Sequence, residues 1–246
     1  MDRKISLILS LLITILIASN FYFFSLFSEK KLESVIVSRV IDGDTIVLQD
    51  GRTIRLLNIN SPEKDTPSSK LSIEFLKGFE NHTLQLKSQG LDKYSRVLGK
   101  LYTPEYLNLE IVRLGLASKF LVEPSELKDF SEAEKFAIEN SLGIWTKSPY
   151  YGCFKSEIDE TSEIVFLINS CDSVYLDSWT LKDESRKTYK FEKIQLGSIN
   201  LNSKQGNDNS TDLFWNSNTN IWNNDRDSLY LFDEKGNIAH YSFYGY

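Results

Sequence analysis

Apolar and polar positions alternate through Thr45–Gln49 and again through Thr53–Ile59, with Asp50-Gly51 between the two runs. This pattern predicts a β-hairpin, because the tight turn at its centre wants positive φ at both central residues. Thr83–Leu86 and Val97–Tyr102 read as two further strands around a polar turn at Asp92–Arg96, and Leu116–Leu121 as a fifth. Helical spacing is interspersed. Leu71, Phe75, Leu76 and Phe79 share one face after a Thr66-Pro67 start, and Leu107, Ile111 and Leu114 share another after Thr103-Pro104, with Gly115 as its stop. Ser131 and Glu134 have capping-box spacing for a third helix, which ends at Leu142-Gly143. Five short strands with three helices among them fit a small closed barrel.

From Ser148 the pattern changes. Helical periodicity disappears, Asn and Ser multiply, and short β-rich runs recur at Ile164–Ile168, Trp179–Lys182, Thr188–Phe191, Leu229–Phe232 and Ile238–Phe243. That is a β-sandwich pattern, with Ser203–Asn224 as a polar loop and Trp179, Trp215 and Trp222 as packing residues. The chain is thereby divided into an N-terminal segment (1–33), a barrel (34–147), a linker (148–159) and a sandwich (160–246). The fold class is mainly β with helices.

Ile5–Phe27 is an uncharged run of 23 residues, roughly 34 Å long as a helix, which is enough to cross a bilayer. It lacks a convincing small-residue cleavage site, so we read it as a transmembrane anchor with the remaining chain extracytoplasmic. A cleaved export signal, giving a secreted protein, is the alternative. The formal charge is −6, which by itself argues against nonspecific attraction to nucleic acid. Its distribution changes that picture. Residues 36–147 carry 15 Lys/Arg against 16 Asp/Glu, whereas residues 148–246 carry 9 against 15. The barrel is close to neutral, and attraction to phosphate must come from a local cluster of cations.

Such a cluster is available at the ends of the hairpin. Asp42 and Asp44 precede its first strand, Arg55 lies within the second, and Asn60, Ser61 and Glu63 follow it. Pairing the strands brings these ends together, so hard oxygen ligands converge beside a guanidinium, as a divalent cation and a phosphodiester require. Farther on comes Asp92-Lys93-Tyr94-Ser95-Arg96. Taken in order, IDGDT, RLLNINSPE, DKYSR, LNLEIVRLGLAS and LGIW resemble the staphylococcal nuclease-like (thermonuclease) family, over about Val35–Trp145. The resemblance implies a barrel of the OB type and a calcium-dependent nuclease. It carries catalytic roles onto Arg55, Glu63 and Arg96, calcium ligation onto Asp44, Asn60 and the Ser61 carbonyl, and substrate contact onto Lys93 and Tyr94. Asn60 departs from the pattern, standing where the best-known nucleases have an Asp, and the lost charge should weaken calcium binding.

The second half, with LINSCDSVYLDSWTL, FWN, IWNNDRDSLYLFDEKGN and YSFY, resembles the lamin tail domain, an immunoglobulin-like interaction module whose ligand here is unknown. Cys153 and Cys171 are the only cysteines, and a disulfide and two buried thiols are both open to them. His82 and His240 read as surface or packing residues. The expected protein is a monomeric endonuclease acting on DNA, with RNA left open. The competing reading is a noncatalytic nucleic-acid-binding or surface interaction protein.

Overall fold

In the computed structural model the described residues are 5, 10–20, 32–64, 67–172, 174–192 and 194–246. Residues 1–33 and 34–246 form separate compact units. In the first, residues 10–20 are helical, and the rest of the expected anchor, apart from Ile5, lies outside the described residues. No helix among the described residues is long and apolar enough to cross a membrane.

The second unit begins with a closed barrel. Its strands are β1 (Glu33–Asp42), β2 (Thr45–Leu48), β3 (Thr53–Leu56), β5 (Thr83–Leu91) and β6 (Val97–Tyr102), in the order β1-β2-β3-β6-β5. All neighbours with a described register are antiparallel except β3 and β6, which run parallel. Alternation along each strand sends Val35, Val37, Ile46, Leu48, Ile54, Leu56, Leu84, Leu86 and Leu101 into one core. The hairpin turn is wider than the sequence predicts. Leu48 N–H donates to Arg52 O at 2.9 Å, and of the two central residues only Gly51 has positive φ, at 88°. Asp50 closes this longer turn by accepting the Arg52 amide and guanidinium.

The fifth barrel strand is β1, not Leu116–Leu121. In that later stretch only β7 (Ser118–Lys119) is extended, and it pairs outside the barrel with β4 (Ile59–Asn60). Helix α1 (Pro67–Lys77) buries Leu76 but leaves Leu71 exposed, and its expected cap Thr66 lies outside the described residues. Helix α2 (Leu107–Arg113) starts after a bridge between Tyr102 and Tyr106 and buries Leu107, Asn108, Ile111 and Val112. Leu114 is exposed because the helix ends before it. Helix α3 (Leu127–Glu139) begins a turn earlier than the capping-box reading, so Ser131 and Glu134 lie inside it. The two helix ends touch through glycines. A Cβ on Gly143 would fall 2.1 Å from Gly115 O, so no larger residue fits this crossing without displacing backbone.

The remainder consists of β8 (Phe154–Asp159), β9 (Ile164–Asn169), β10 (Val174–Tyr175), β11 (Thr180–Lys182), β12 (Thr188–Lys190), β13 (Gln195–Leu196), β14 (Ser198–Asn202), β15 (Asp212–Phe214), β16 (Asp227–Phe232) and β17 (Ile238–Tyr244). Two four-stranded sheets, β12-β11-β16-β17 and β15-β14-β9-β8, share a core that includes Val165, Leu167, Leu181, Ile199, Leu201, Leu229 and Leu231. Trp179 and Trp222 are buried in it, with Trp215 packed against it. Part of the stretch read as a linker, Phe154–Asp159, is an edge strand of this two-sheet module. Cys153 and Cys171 form a disulfide beside it.

Barrel and module are joined by a shared core. Trp145 stacks on Tyr230 and Phe232, with centroids 5.3 and 6.3 Å apart, among Ala137, Ile138 and Ile238. Tyr230 also donates its hydroxyl to Glu134 on α3 at 2.9 Å.

Candidate functional site

The tight segment before β2 brings the first acidic side chains inward. A Cβ on Gly43 would lie 2.5 Å from Ser72 Cβ and 2.7 Å from Ser61 Cβ, so the turn passes too close to both for any other residue. Asp44 is thereby buried against Ser61, which donates its amide at 2.9 Å and its hydroxyl at 3.0 Å to Asp44 Oδ2. Asp44 Oδ1 faces Arg55 Nε at 3.3 Å and accepts the Thr45 hydroxyl at 3.0 Å. Burial opposes ionisation of Asp44, but the Arg55 charge and the Ser61 amide outweigh it, and its pKa lies below the ordinary value. Asp42 is pushed the other way by burial and by the Asp44 charge.

Register places Arg55, the β3 residue opposite Thr45, over this acid. Its Nη1 donates to Leu56 O at 2.5 Å and its Nη2 to Asn60 Oδ1 at 3.4 Å. Arg96 arrives from the turn before β6. Asp92 fixes that turn by accepting the amides of Tyr94 and Arg96, and it accepts Arg96 Nε at 2.7 Å. Arg96 Nη1 then donates to Thr45 Oγ1 at 3.4 Å. Thr45 is thus the hinge between the Asp44–Arg55 pair and the second guanidinium. Burial, together with the charges of Arg96 and Arg186, draws the Arg55 pKa down against the opposing pull of Asp44. Tyr94 is exposed, with Lys93 Nζ 5.0 Å and Arg96 Cζ 5.5 Å from its ring centroid, forming a cationic edge with a stacking face.

Asp44, Arg55, Asn60, Ser61 and Arg96 therefore form one hydrogen-bonded set, with Lys93 and Tyr94 at its rim. Glu63 is placed differently. Its side chain is 77% exposed, and Oε1 accepts Arg186 Nη1 at 3.0 Å, across 123 residues of sequence. Arg186 belongs to the β11–β12 turn of the two-sheet module. That turn is closed by Asp183, whose carboxylate accepts the Ser185 hydroxyl and the Lys187 amide. Lys182, at the end of β11, has its pKa drawn down by burial and by the Arg186 charge.

Sequence reasoning did not find Thr45, Asp92, Arg186 or Lys182 as site residues. Asp92 stands within the quoted DKYSR motif, whereas the turn that carries Arg186 has no local mark of its role. Among the described residues no group of three or more His, Cys, Asp or Glu is arranged to hold a metal. The oxygen set at the hairpin consists of two acids, an amide and a seryl group.

The family model for the staphylococcal nuclease homologue matches residues 53–147, which contain Arg55, Asn60, Ser61, Glu63, Lys93, Tyr94 and Arg96. A thermonuclease of Staphylococcus intermedius is 30% identical over 131 residues, covering 47% of this chain and 77% of that protein. An endonuclease of Bacillus subtilis (strain 168) is 30% identical over 161 residues, 52% of this chain and 72% of its own length. An uncharacterized endonuclease of Escherichia coli is 38% identical over 87 residues, 33% of this chain, and the match spans only 57% of that relative. With the closed five-stranded barrel and the Arg55–Asp44–Arg96 cluster built on it, these similarities show that the chain belongs to the staphylococcal nuclease homologue family.

Proposed function

We propose that this protein is a calcium-dependent endonuclease that hydrolyses phosphodiester bonds of DNA, and of RNA where the strand is accessible. The observation that carries this reading is the convergence of Arg55 and Arg96 on Thr45 and Asp44. Two planar guanidiniums can offer paired N–H donors to the nonbridging oxygens of one phosphate, and these bonds strengthen as charge builds on it. Glu63, which follows Asn60 and Ser61 in the chain and is held by Arg186, takes a proton from water as the water oxygen bonds to phosphorus. One P–O ester bond then breaks, and the departing oxygen collects a proton from solvent. Lys93 and Tyr94 hold the adjoining nucleotide by charge and stacking.

The oxygen donors suit a hard divalent cation. Asp44 and Asn60, with the Ser61 carbonyl, would hold it, and Asp42 adds nearby negative charge. When bound, calcium supplies Lewis-acid stabilisation to the phosphate. The apolar run Ile5–Phe27 and the Cys153–Cys171 disulfide support an extracytoplasmic location, either anchored or secreted. We read the two-sheet module as lamin-tail-like and immunoglobulin-like on its sequence motifs.

The test is plasmid cleavage by the purified protein with calcium or with EGTA. Glu63→Gln should reduce turnover by about 10²–10⁴-fold. Arg55→Lys and Arg96→Lys should each lose most activity, because an ammonium keeps the charge without the paired donors. No cleavage of DNA or RNA by the wild type in calcium would leave the noncatalytic binding reading.

A further inference from the structure

Between the barrel and the two-sheet module lies a cavity of about 230 Å³, whose lining includes Asn60, Glu63, Trp145, Lys182 and Arg186. Its volume is below the roughly 300–1,000 Å³ of pockets for drug-sized ligands, so it suits one phosphate with part of a sugar or base. Two N–H donors on its lining residues lack partners among the described residues: Arg186 Nη2 and Trp145 Nε1 are buried and make no hydrogen bond there, and Trp145 is only 1% exposed. A buried donor without an acceptor is unfavourable, and a ligand oxygen would relieve that cost.

The balance of charge favours an anion. Among the lining acids, Glu63 is paired with Arg186, and Asp183 is engaged by Ser185 and Lys187. Lys182 has no ion pair among the described residues, and its ammonium sits 5.5 Å from the Phe232 ring centroid.

We propose that this cavity is a phosphate subsite for the nucleotide next to the scissile bond. In it Arg186, supplied by the two-sheet module, binds the flanking phosphate through Nη2 while Nη1 retains Glu63. This rests on the nuclease reading. Asn60 belongs to the Arg55–Asp44 set and also lines the cavity, so a strand lying across it presents successive phosphates to Arg55 and Arg96 and then to Arg186. Lys182 supplies the second positive charge, and Trp145 Nε1 meets an acceptor on the sugar or base. The module is then part of the substrate-binding surface.

The test compares a dinucleotide, with one internal phosphodiester and no flanking phosphate, with a trinucleotide carrying one more phosphate. Cleavage by the full-length protein in calcium is measured for wild type and Arg186→Ala. Arg186 also holds Glu63, so kcat shifts by a common factor on both substrates, and the expected result is a trinucleotide KM raised about tenfold with the dinucleotide KM little changed. An equal KM change on both substrates, a change in kcat alone, or no change would overturn the subsite. If Arg186→Ala does not fold, as read from its thermal midpoint, Lys182→Gln must show the same split between substrates, and no split overturns the proposal. The nuclease reading fails separately. A wild type that cleaves no nucleic acid removes that reading, whereas calorimetric titration with the two oligonucleotides still asks whether the added phosphate tightens binding through Arg186.

Discussion

Lys119 Nζ lies 2.6 Å from Glu134 Oε2, with the two side chains 1% and 3% exposed, and the same ammonium donates to Ser228 Oγ at 2.6 Å. Lys119 is on β7, Glu134 on α3 and Ser228 on β16, so this buried pair joins the barrel to the module. Glu134 also accepts the Lys119 amide and the Tyr230 hydroxyl. Removing one partner leaves an uncompensated buried charge. Glu134→Ala should therefore destabilise the protein by about 3–5 kcal/mol in urea unfolding. Lys119→Met with Glu134→Leu should cost much less than the single change. A single change costing less than about 1 kcal/mol would show that the pair is not held away from water.

The same junction sets the outcome of truncation. A fragment ending near residue 150 loses Ser228, Tyr230, Phe232 and Ile238, leaving Trp145 and the Lys119–Glu134 pair open to water. Although the sequence motifs end by Trp145 and suggest a detachable nuclease, the 34–150 fragment should not fold cooperatively. Circular dichroism melts decide this, and a sharp transition with cleavage activity would show a barrel stable without the module.

The sequence made legible what depends on short-range pattern. The β2–β3 pairing, the β6 strand and five strands of the module follow from period-2 alternation, and Asp44, Arg55 and Asn60 come together because a hairpin must join its ends. Three kinds of feature were not legible. Exposed positions in β1 weaken its alternation, and Leu116–Leu121 resembles a strand although only Ser118 and Lys119 are paired. Glu134 has capping-box spacing, but tertiary contact with Lys119 overrides that local signal. Arg186 reaches Glu63 only because the two sheets of the module and the barrel are packed together, a relation with no local periodicity.

His240 gives the fold a defined response to acid. It lies on β17, shares a hydrogen bond with Ser156 Oγ at 2.9 Å, and burial draws its pKa down to about 4. In the unfolded chain the group titrates near pH ~6.5. Between these values the unfolded state binds a proton that the folded state does not, so stability falls as pH drops from about 6.5 to about 4. The loss from this group reaches about 3 kcal/mol at the lower end. His240→Gln keeps a partner for Ser156 and abolishes the titration. Urea midpoints at several pH values should fall less steeply below about pH 6.5 for the variant than for wild type. Parallel profiles would mean that His240 protonates without unfolding the sheet.

Asn60 tests the proposed calcium site most directly. Its Oδ1 accepts Arg55 Nη2 at 3.4 Å, close to the guanidinium that pairs with Asp44. Asn60→Asp changes the side chain's shape little and adds one negative charge to the oxygen set. Calcium affinity follows ligand charge and site rigidity, so the variant should reach half-maximal cleavage at lower calcium. Its maximal rate need not rise, because an added carboxylate also competes for Arg55 and weakens that arginine's hold on phosphate. The competing account makes Asn60 only a partner of Arg55, with no cation beside it. In that case the introduced carboxylate would tighten the pair with Arg55, lower the rate at every calcium concentration and leave the midpoint unchanged. Cleavage rate titrated against calcium separates these outcomes: a midpoint moved to lower calcium supports ligation, and superimposable normalised curves remove Asn60 from the ligand set.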